Sequence, residues 1–442
     1  MGISSVPRVS IVMASFNHES FIHECIQSAL GQTFQDFEFI ITDDGSTDGT
    51  VDSVKAFHDP RIVLEVFPRN EGACVALNNS IRKARGEFVA VLNSDDAWMP
   101  ERLARQVAFL DSHPELGTVF SRLELVTEAG EPVKSDEYWF ASVLEQENRS
   151  RYAWLNYFFY SGNCLCHPSI LIRRKCYEQT GLLNPRMANL PDLDLWVRLC
   201  LKYEIYILDE KLVRFRIHAD QSNASGDRPS SRVRGSFEYL QILDHYLEIN
   251  DSETLLKVFP DAGKYGMVSD KYIPYFLGRQ ALEAKTSVVW LWGLKTLYGF
   301  LGDEASARGL RESYGFRYSD LIKLTSEYDV FKVNEITVRP SAVDLFKYAA
   351  RNPAGAFNLV LLHTLVELNK NQEPKDEKTV GGRTGDSSQP TSRIARYGRL
   401  LLRALKNPGA AFKVLRTITN NVEVEANIML NNAKTGRNSR AK

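Results

Sequence analysis

The 442-residue chain has almost no charge imbalance: 54 Lys and Arg stand against 55 Asp and Glu, a formal net charge of −1. That argues against general polyanion binding by the whole protein, nucleic acid included. There is no Cys-x-x-Cys pair, and none of the six cysteines (Cys25, Cys74, Cys164, Cys166, Cys176 and Cys200) lies beyond residue 200. They read as reduced cytosolic residues and not as a disulfide framework or a zinc site. Long hydrophobic runs are missing too. The most apolar window, Val288 to Leu301, is interrupted by Lys295 and is too short to span a membrane, and Met1 to Arg8 has no apolar core of signal-peptide length. A cytosolic location is the expectation. Neither Gly-x-Gly-x-x-Gly nor Gly-x-x-x-x-Gly-Lys-Ser/Thr occurs, so neither a dinucleotide fold nor a P-loop is supported. The loop after the first apolar run, Ala14-Ser15-Phe16-Asn17, contains no glycine, which disfavours a nucleotidyltransferase.

What is present is a strand and helix alternation. The length allows two domains or more. Val9 to Met13 is a short apolar run, followed by Ile22, Cys25, Ile26, Ala29 and Leu30 at helical spacing. Phe37 to Thr42 and Ile62 to Phe67 read as further strands, with helices at Thr50 to Phe57 and along Ala73, Ala76, Leu77, Ser80, Ile81 and Ala84. Phe88 to Leu92 is an apolar run that stops at Asn93-Ser94-Asp95-Asp96. Such alternation implies an α/β fold with a parallel, right-handed crossover sheet and its site at the strand ends.

Three strand ends carry polar residues: Ser15-Phe16-Asn17, Asp43-Asp44-Gly45-Ser46 and Asn93-Ser94-Asp95-Asp96. Adjacent side chains on an extended backbone diverge, so Asp95 and Asp96 do not share one duty. One of them suits a hard divalent ion, Mg²⁺ or Mn²⁺, whose other ligands are water and phosphate oxygens; the other reading is a cap for a helix starting near Pro100. Gly45 permits a sharp turn and Asp44 offers an acceptor to a base N–H, with Thr47 or Asp48 as a helix cap. Alternatively, the whole stretch from Asp43 to Thr50 is a turn plus cap.

These stretches, with Asn70-Glu71-Gly72, Asn78 and Gly86-Glu87-Phe88-Val89, resemble in order and spacing the inverting family-two glycosyltransferases of the GT-A fold. The resemblance runs from about Pro7 to about Ser225. It implies a mixed, mainly parallel sheet flanked by helices, with Ala14, Phe16, Asp44, Asn78 and Asp95 at the nucleotide. It also implies Asp96 and His218 at the metal. Further along, Pro191-Asp192-Leu193-Asp194-Leu195-Trp196-Val197-Arg198-Leu199 resembles the family's acid-acid motif and the helix after it, although the first acid is Pro191 here. Asp192 stands at the general-base position, where a helix-capping role is the plainer reading. An ordinary carboxylate is a weak base, so proton transfer is expected late in the reaction.

Asn163 to Arg173 resembles the family's second-half strand. Residues 133–162 are rich in Tyr, Phe and Trp, either as faces for an acceptor sugar or as ordinary core. Val213 to His218 alternates with period two, placing Arg214, Arg216 and His218 on one face, either toward the diphosphate or along an exposed edge strand. The expected organisation is a glycosyltransferase domain over 1–228, a helical domain over 229–370, a linker over 371–392 and a basic tail over 393–442. Ser222 to Ser231 marks the first boundary. Leu345 to Phe357 and Leu400 to Phe412 repeat a helix, Asn-Pro, helix pattern. The tail joins basic and apolar residues without an acid between Arg393 and Arg416, which suits an anionic membrane, a partner, or plain solvation.

The resemblance implies transfer of a sugar from a nucleoside diphosphate sugar, UDP-linked, to a hydroxyl on a glycan or lipid-linked acceptor, with inversion. The competing class is a non-catalytic sugar-nucleotide binder or assembly scaffold on the same fold.

Overall fold

In the computed structural model, which describes residues 6–134, 141–218 and 228–333, the first strand is Val9–Ser15 (β1). It is buried along nearly its whole length, as a parallel strand covered on both faces must be. Seven more strands follow: β2 (Phe37–Asp43), β3 (Ile62–Val66), β4 (Phe88–Val91), β5 (Ala97–Trp98), β6 (Leu116–Val126), β7 (Leu171–Arg173) and β8 (Glu204–Arg216). They form one sheet in the order β3-β2-β1-β4-β7-β6-β8-β5. Pairing is parallel between β1 and β2, β2 and β3, β1 and β4, and β6 and β8; β7 runs antiparallel to both its neighbours, and β5 antiparallel to β8. This mixed, mainly parallel sheet is the GT-A architecture.

Fourteen α-helices are described: α1 (Glu19–Leu30), α2 (Thr50–Lys55), α3 (Ala73–Lys83), α4 (Arg102–Ser112), α5 (Ala141–Leu144), α6 (Arg151–Ser161), α7 (Arg174–Thr180), α8 (Pro191–Cys200), α9 (Pro229–Leu243), α10 (Ser252–Val258), α11 (Ile273–Ala281), α12 (Ser287–Leu301), α13 (Glu304–Tyr314) and α14 (Tyr318–Glu327). The period-two alternation of each strand divides the core into two layers. Ile11 and Met13 of β1 and Phe88 and Ala90 of β4 pack against Ile22 and Ile26 of α1 and Leu103 and Val107 of α4. Val12, Val89 and Val91 point the other way, toward Leu77 and Ile81 of α3, Trp154 and Phe158 of α6 and Trp196 of α8. Ile242, Tyr246 and Trp292 extend this second layer, so the helices after Pro229 share a core with the face that carries α8. Among the aromatics of 133–162, Trp154, Phe158 and Phe159 are fully buried, as ordinary core.

Two elements differ from expectation. Where a strand was expected over Asn163 to Arg173, a 3₁₀ turn occupies His167–Ser169 and only Leu171–Arg173 pairs, because Pro168 has no N–H for a ladder. The 213–218 alternation belongs to an inner strand, since β5 covers β8. Among the described residues no helix is long and apolar enough to cross a membrane. The two helix, Asn-Pro, helix segments, the 371–392 linker, the tail and residues 222–227 of the expected boundary lie outside the described residues.

Candidate active site

The chain lays β1, β2 and β3 side by side and then returns to place β4 on the other side of β1. Strand order therefore reverses between β1 and β4, and the crevice beyond their carboxyl ends is where an open α/β sheet binds ligands. Ala14 is half-buried at the end of β1, and Phe16 stands at the mouth with 40% of its surface exposed. Between them and β2 the loop is pinned. Asn17, in the left-handed region at φ 52°, accepts the Thr47 N–H at 2.8 Å and donates its own N–H to Ser46 Oγ at 2.9 Å.

The acid pair after β4 is parted, as adjacent side chains should be. Asp96 turns inward: it is 2% exposed, its Oδ1 accepts the Arg216 N–H at 2.9 Å and its Oδ2 accepts Asn93 Nδ2 at 3.1 Å. Burial first, and the neighbouring Asp95 charge second, push its carboxyl well above the usual range. Asp95 faces His218 instead, with Oδ2 and Nε2 3.0 Å apart. Neither acid caps the next helix, which begins at Arg102. His18 joins the group, its Nδ1 2.7 Å from Ser94 Oγ and its ring 6.3 Å from that of His218, with Phe21 edge-on to both. Burial lowers the His18 pKa against the pull of Asp95.

Adjacent ligands of an octahedral ion bonded at about 2.1 Å stand about 3 Å apart, which is the Asp95 to His218 separation. The two fit a divalent ion as a partial shell. Among the described residues no group of three or more His, Cys, Asp or Glu could hold a metal, so water and phosphate oxygens would have to complete it. Asp96, expected at the metal, is almost fully buried, with one hydrogen bond to each oxygen, from Asn93 and from the Arg216 N–H.

Arg216 is a second departure from the sequence reading. Instead of meeting a diphosphate or lining an edge, it is 2% exposed and anchors the acid loop from within. Its Nε donates to the Asp95 carbonyl at 2.7 Å, its Nη2 to Glu24 Oε2 at 2.6 Å and its Nη1 to the Thr127 carbonyl at 3.2 Å. Arg214 pairs with Glu124.

At the end of β2 the two acids also part. Asp43 accepts from Ser15 Oγ, Ser46 Oγ and the Ser46 N–H. Asp44, 1% exposed, accepts the Glu71 N–H at 2.7 Å and the Gly72 N–H at 2.9 Å. Each of its oxygens keeps one further lone pair for a base. Asn78 is not brought to the crevice: its amide both donates to and accepts from the backbone of Leu183, at 2.8 and 3.1 Å. The Asp48 carboxylate accepts the Thr50 and Glu19 N–H groups, serving the starts of α2 and α1 together.

Asp192 lies in the first turn of α8, after Pro191, whose missing N–H costs nothing there. Leu190 is the N-cap, so Asp192 is not a capping residue. Its Oδ2 accepts Asn163 Nδ2 at 2.6 Å and its Oδ1 the Leu193 N–H at 2.8 Å. The residue is half-buried. Burial raises its carboxyl to about 6, against the lowering effect of those two hydrogen bonds. The neighbouring acid Asp194 is committed elsewhere, to Arg198 and His245.

Cys166 joins the two halves. It sits before the His167–Ser169 turn, which Arg102 and Gln106 of α4 hold by hydrogen bonds to the carbonyls of Ile170 and Ser169, at 2.9 and 2.8 Å. Its thiol is pushed well above the usual range by burial and then by the charges of Asp96, Asp192 and Asp95. His18 and Asn163 were not singled out as site residues from sequence; each owes its place to a partner at least 29 residues away.

The profile of glycosyl transferase family 2 matches residues 10–180. EpsE of Bacillus subtilis strain 168, assigned as a glycosyltransferase, is 31% identical over 224 residues, covering 49% of this chain and 76% of EpsE. This chain belongs to glycosyl transferase family 2. TuaG of the same organism, assigned as a teichuronic acid biosynthesis glycosyltransferase, is 31% identical over 216 residues, covering 48% of this chain and 79% of TuaG. A crystal structure of S. aureus TarS 1-349 in complex with UDP-GlcNAc is 18% identical and covers 70% of this chain and 91% of that one at a TM-score of 0.46. That likeness leaves donor and acceptor open. Family membership accounts for the order of the β1, β2 and β4 loops, and residues beyond 180 fall outside the family match.

Proposed function

We propose that this family-2 glycosyltransferase moves a sugar, with inversion, from a UDP-linked donor to a hydroxyl of a glycan or lipid-linked acceptor, with residues 1–228 as the catalytic unit. The observation that carries this reading is the acid-lined crevice at the carboxyl ends of β1, β2 and β4, with Asp44 after β2, and with Asp95 after β4 only 3.0 Å from His218, which supports a metal-side acid there and Asp192 as the base-side acid. Phe16 and Asp44 border the base of the nucleotide. Asp95 and His218 would hold Mg²⁺ or Mn²⁺, whose chemistry when bound is Lewis-acid stabilisation of charge on the departing diphosphate. Asp96 and Arg216 keep the acid loop in place for that pair.

Asp192 takes the proton of the attacking hydroxyl. With its carboxyl raised to about 6 it is ionised at pH 7 yet more basic than a free aspartate. This revises the expectation of an ordinary, weak carboxylate. Asn163 and the Leu193 N–H orient it and leave each oxygen one lone pair for the acceptor. The test is a panel of UDP- and GDP-sugars scored for binding by calorimetry and for release of nucleoside diphosphate, with and without Mn²⁺. Binding and Mn²⁺-dependent turnover of a UDP-sugar are expected. Binding of no nucleotide sugar would contradict the proposal, and binding without turnover to any acceptor would favour a sugar-nucleotide scaffold.

A further inference from the structure

Glu238 of α9 is an acid in the core, 2% exposed and 46 residues beyond Asp192 in sequence. Its Oε1 accepts the Ala188 N–H at 2.8 Å, and its Oε2 accepts the N–H groups of Asn189 and Leu190 at 2.9 and 2.7 Å. These three consecutive amides lead directly into α8. The N-cap of α8, Leu190, has no side-chain oxygen to offer, and the first helical residue is Pro191, which has no N–H. A carboxylate from a different element therefore does the capping, at the end of the helix where negative charge is favoured.

The next residue grips the other support of Asp192. Tyr239 donates its hydroxyl to the carbonyls of Phe158 and Phe159 at 2.6 and 2.8 Å. Those carbonyls belong to the last turn of α6, from which the chain runs through Gly162 to Asn163, the hydrogen-bond donor to Asp192. One turn before Glu238, Arg234 Nη1 donates to Asn189 Oδ1 at 3.2 Å. Neighbouring residues of α9 thus hold both chain segments that hold Asp192.

We propose that Glu238 is a positioning residue for the crevice base, and that α9 fixes Asp192 at the rim by clamping the Ala188 to Leu190 turn with Glu238 and the end of α6 with Tyr239. The proposal rests on the reading of Asp192 as the base. It gives the helical segment after Pro229 a part in transfer, although no catalytic motif is present there. Burial chiefly raises the Asp192 carboxyl, and the Glu238 charge adds a smaller push in the same direction. Among the described residues, two thiols also feel the Asp192 charge, Cys74 of α3 and Cys166. Cys74 is pushed up to about 12 by burial and then by Asp192, Glu238 and Asp194, and Cys166 is raised well above its usual range. Both are neutral near pH 6. Asp194 is paired with Arg198 and His245. Glu238 is therefore the charge whose removal should be read at Asp192.

The experiment uses the full chain and needs no acceptor. The Asp192 carboxyl is titrated by difference infrared spectroscopy against Asp192→Asn, and backbone hydrogen exchange is followed over residues 188–193, for wild type and Glu238→Gln. Glu238→Gln should titrate Asp192 at lower pH than wild type and exchange the 188–190 amides at least about tenfold faster, since buried hydrogen bonds to a charged group are lost. An unchanged titration and unchanged exchange would overturn the proposal. If Glu238→Gln does not fold, Glu238→Asp decides: it keeps the charge but shortens the reach, so faster 188–190 exchange supports the clamp and wild-type exchange overturns it. Failure of the base reading shows separately, as near-normal transfer by Asp192→Asn, and overturns the catalytic role of the clamp with it.

Discussion

Asp192 destabilises the fold in its ionised form, the form the proposed base role needs. Its carboxyl is raised from near 3.8 to about 6 in the folded chain, chiefly by burial, so between those values the folded state binds more protons than the unfolded one. Stability linked to this group is therefore retained below about pH 3.8 and lost as pH rises through about 6. Asp192→Asn, neutral at every pH, should unfold at higher denaturant than wild type at pH 8, by an amount on the order of 1–2 kcal/mol, with the advantage gone near pH 4. Chemical denaturation at the two pH values checks both magnitude and sign. Asp95 and Asp96 separate in the same way under measurement. Asp95→Asn and His218→Ala should each weaken Mn²⁺ binding in the presence of UDP by about tenfold or more, equivalent to losing one charge-assisted contact. Asp96→Asn should chiefly lower stability, because the carboxylate is almost fully buried and ties Asn93 to the Arg216 backbone. Calorimetry of Mn²⁺ binding to the three variants distinguishes them, and a loss confined to Asp96→Asn would reverse the assignment.

At the scale of elements, the β1 to β4 half was legible because its information is local. Apolar runs of four to seven residues ending in polar turns and alternating with helical spacing read as parallel strands, buried in β1, β2 and β4 and half-exposed at the edge strand β3. The Asp43 to Thr50 loop was legible in its glycine. Gly45 has φ +75°, and a Cβ there would lie 2.5 Å from the backbone carbon of Arg69. Gly45→Ala should cost about 2 kcal/mol or more, from the left-handed backbone and the close approach together, and should loosen the loop tethered to Asp44; thermal melting checks it. The second half was less legible. β8 runs thirteen residues with register irregularities against β6 near Ser121 and Arg122, which period-two counting cannot register. Its arginines look like a solvated face in sequence. Arg216 is nevertheless buried, because Glu24, 192 residues earlier, and carbonyls of the 127–128 turn satisfy its guanidinium. Asn78 shows the reverse error: a family position suggested a ligand contact, while the fold uses its amide to fasten Leu183.

At the scale of the whole molecule, the described helices after Pro229 extend the core layer behind α8. The sheet alone does not hold the base side of the crevice. In the proposed reaction the donor side is the β4 loop with Asp95 and His218, and the base side is α8 with Asp192, supported by α6 and α9. The most direct test of this account is to measure turnover and donor dissociation constant for Asp192→Asn beside wild type, with a donor and acceptor pair that wild type uses. General-base assistance is typically worth about 10² to 10⁴-fold. The account predicts a loss of turnover of at least that order with donor affinity little changed. Transfer by Asp192→Asn at a near-normal rate would contradict it.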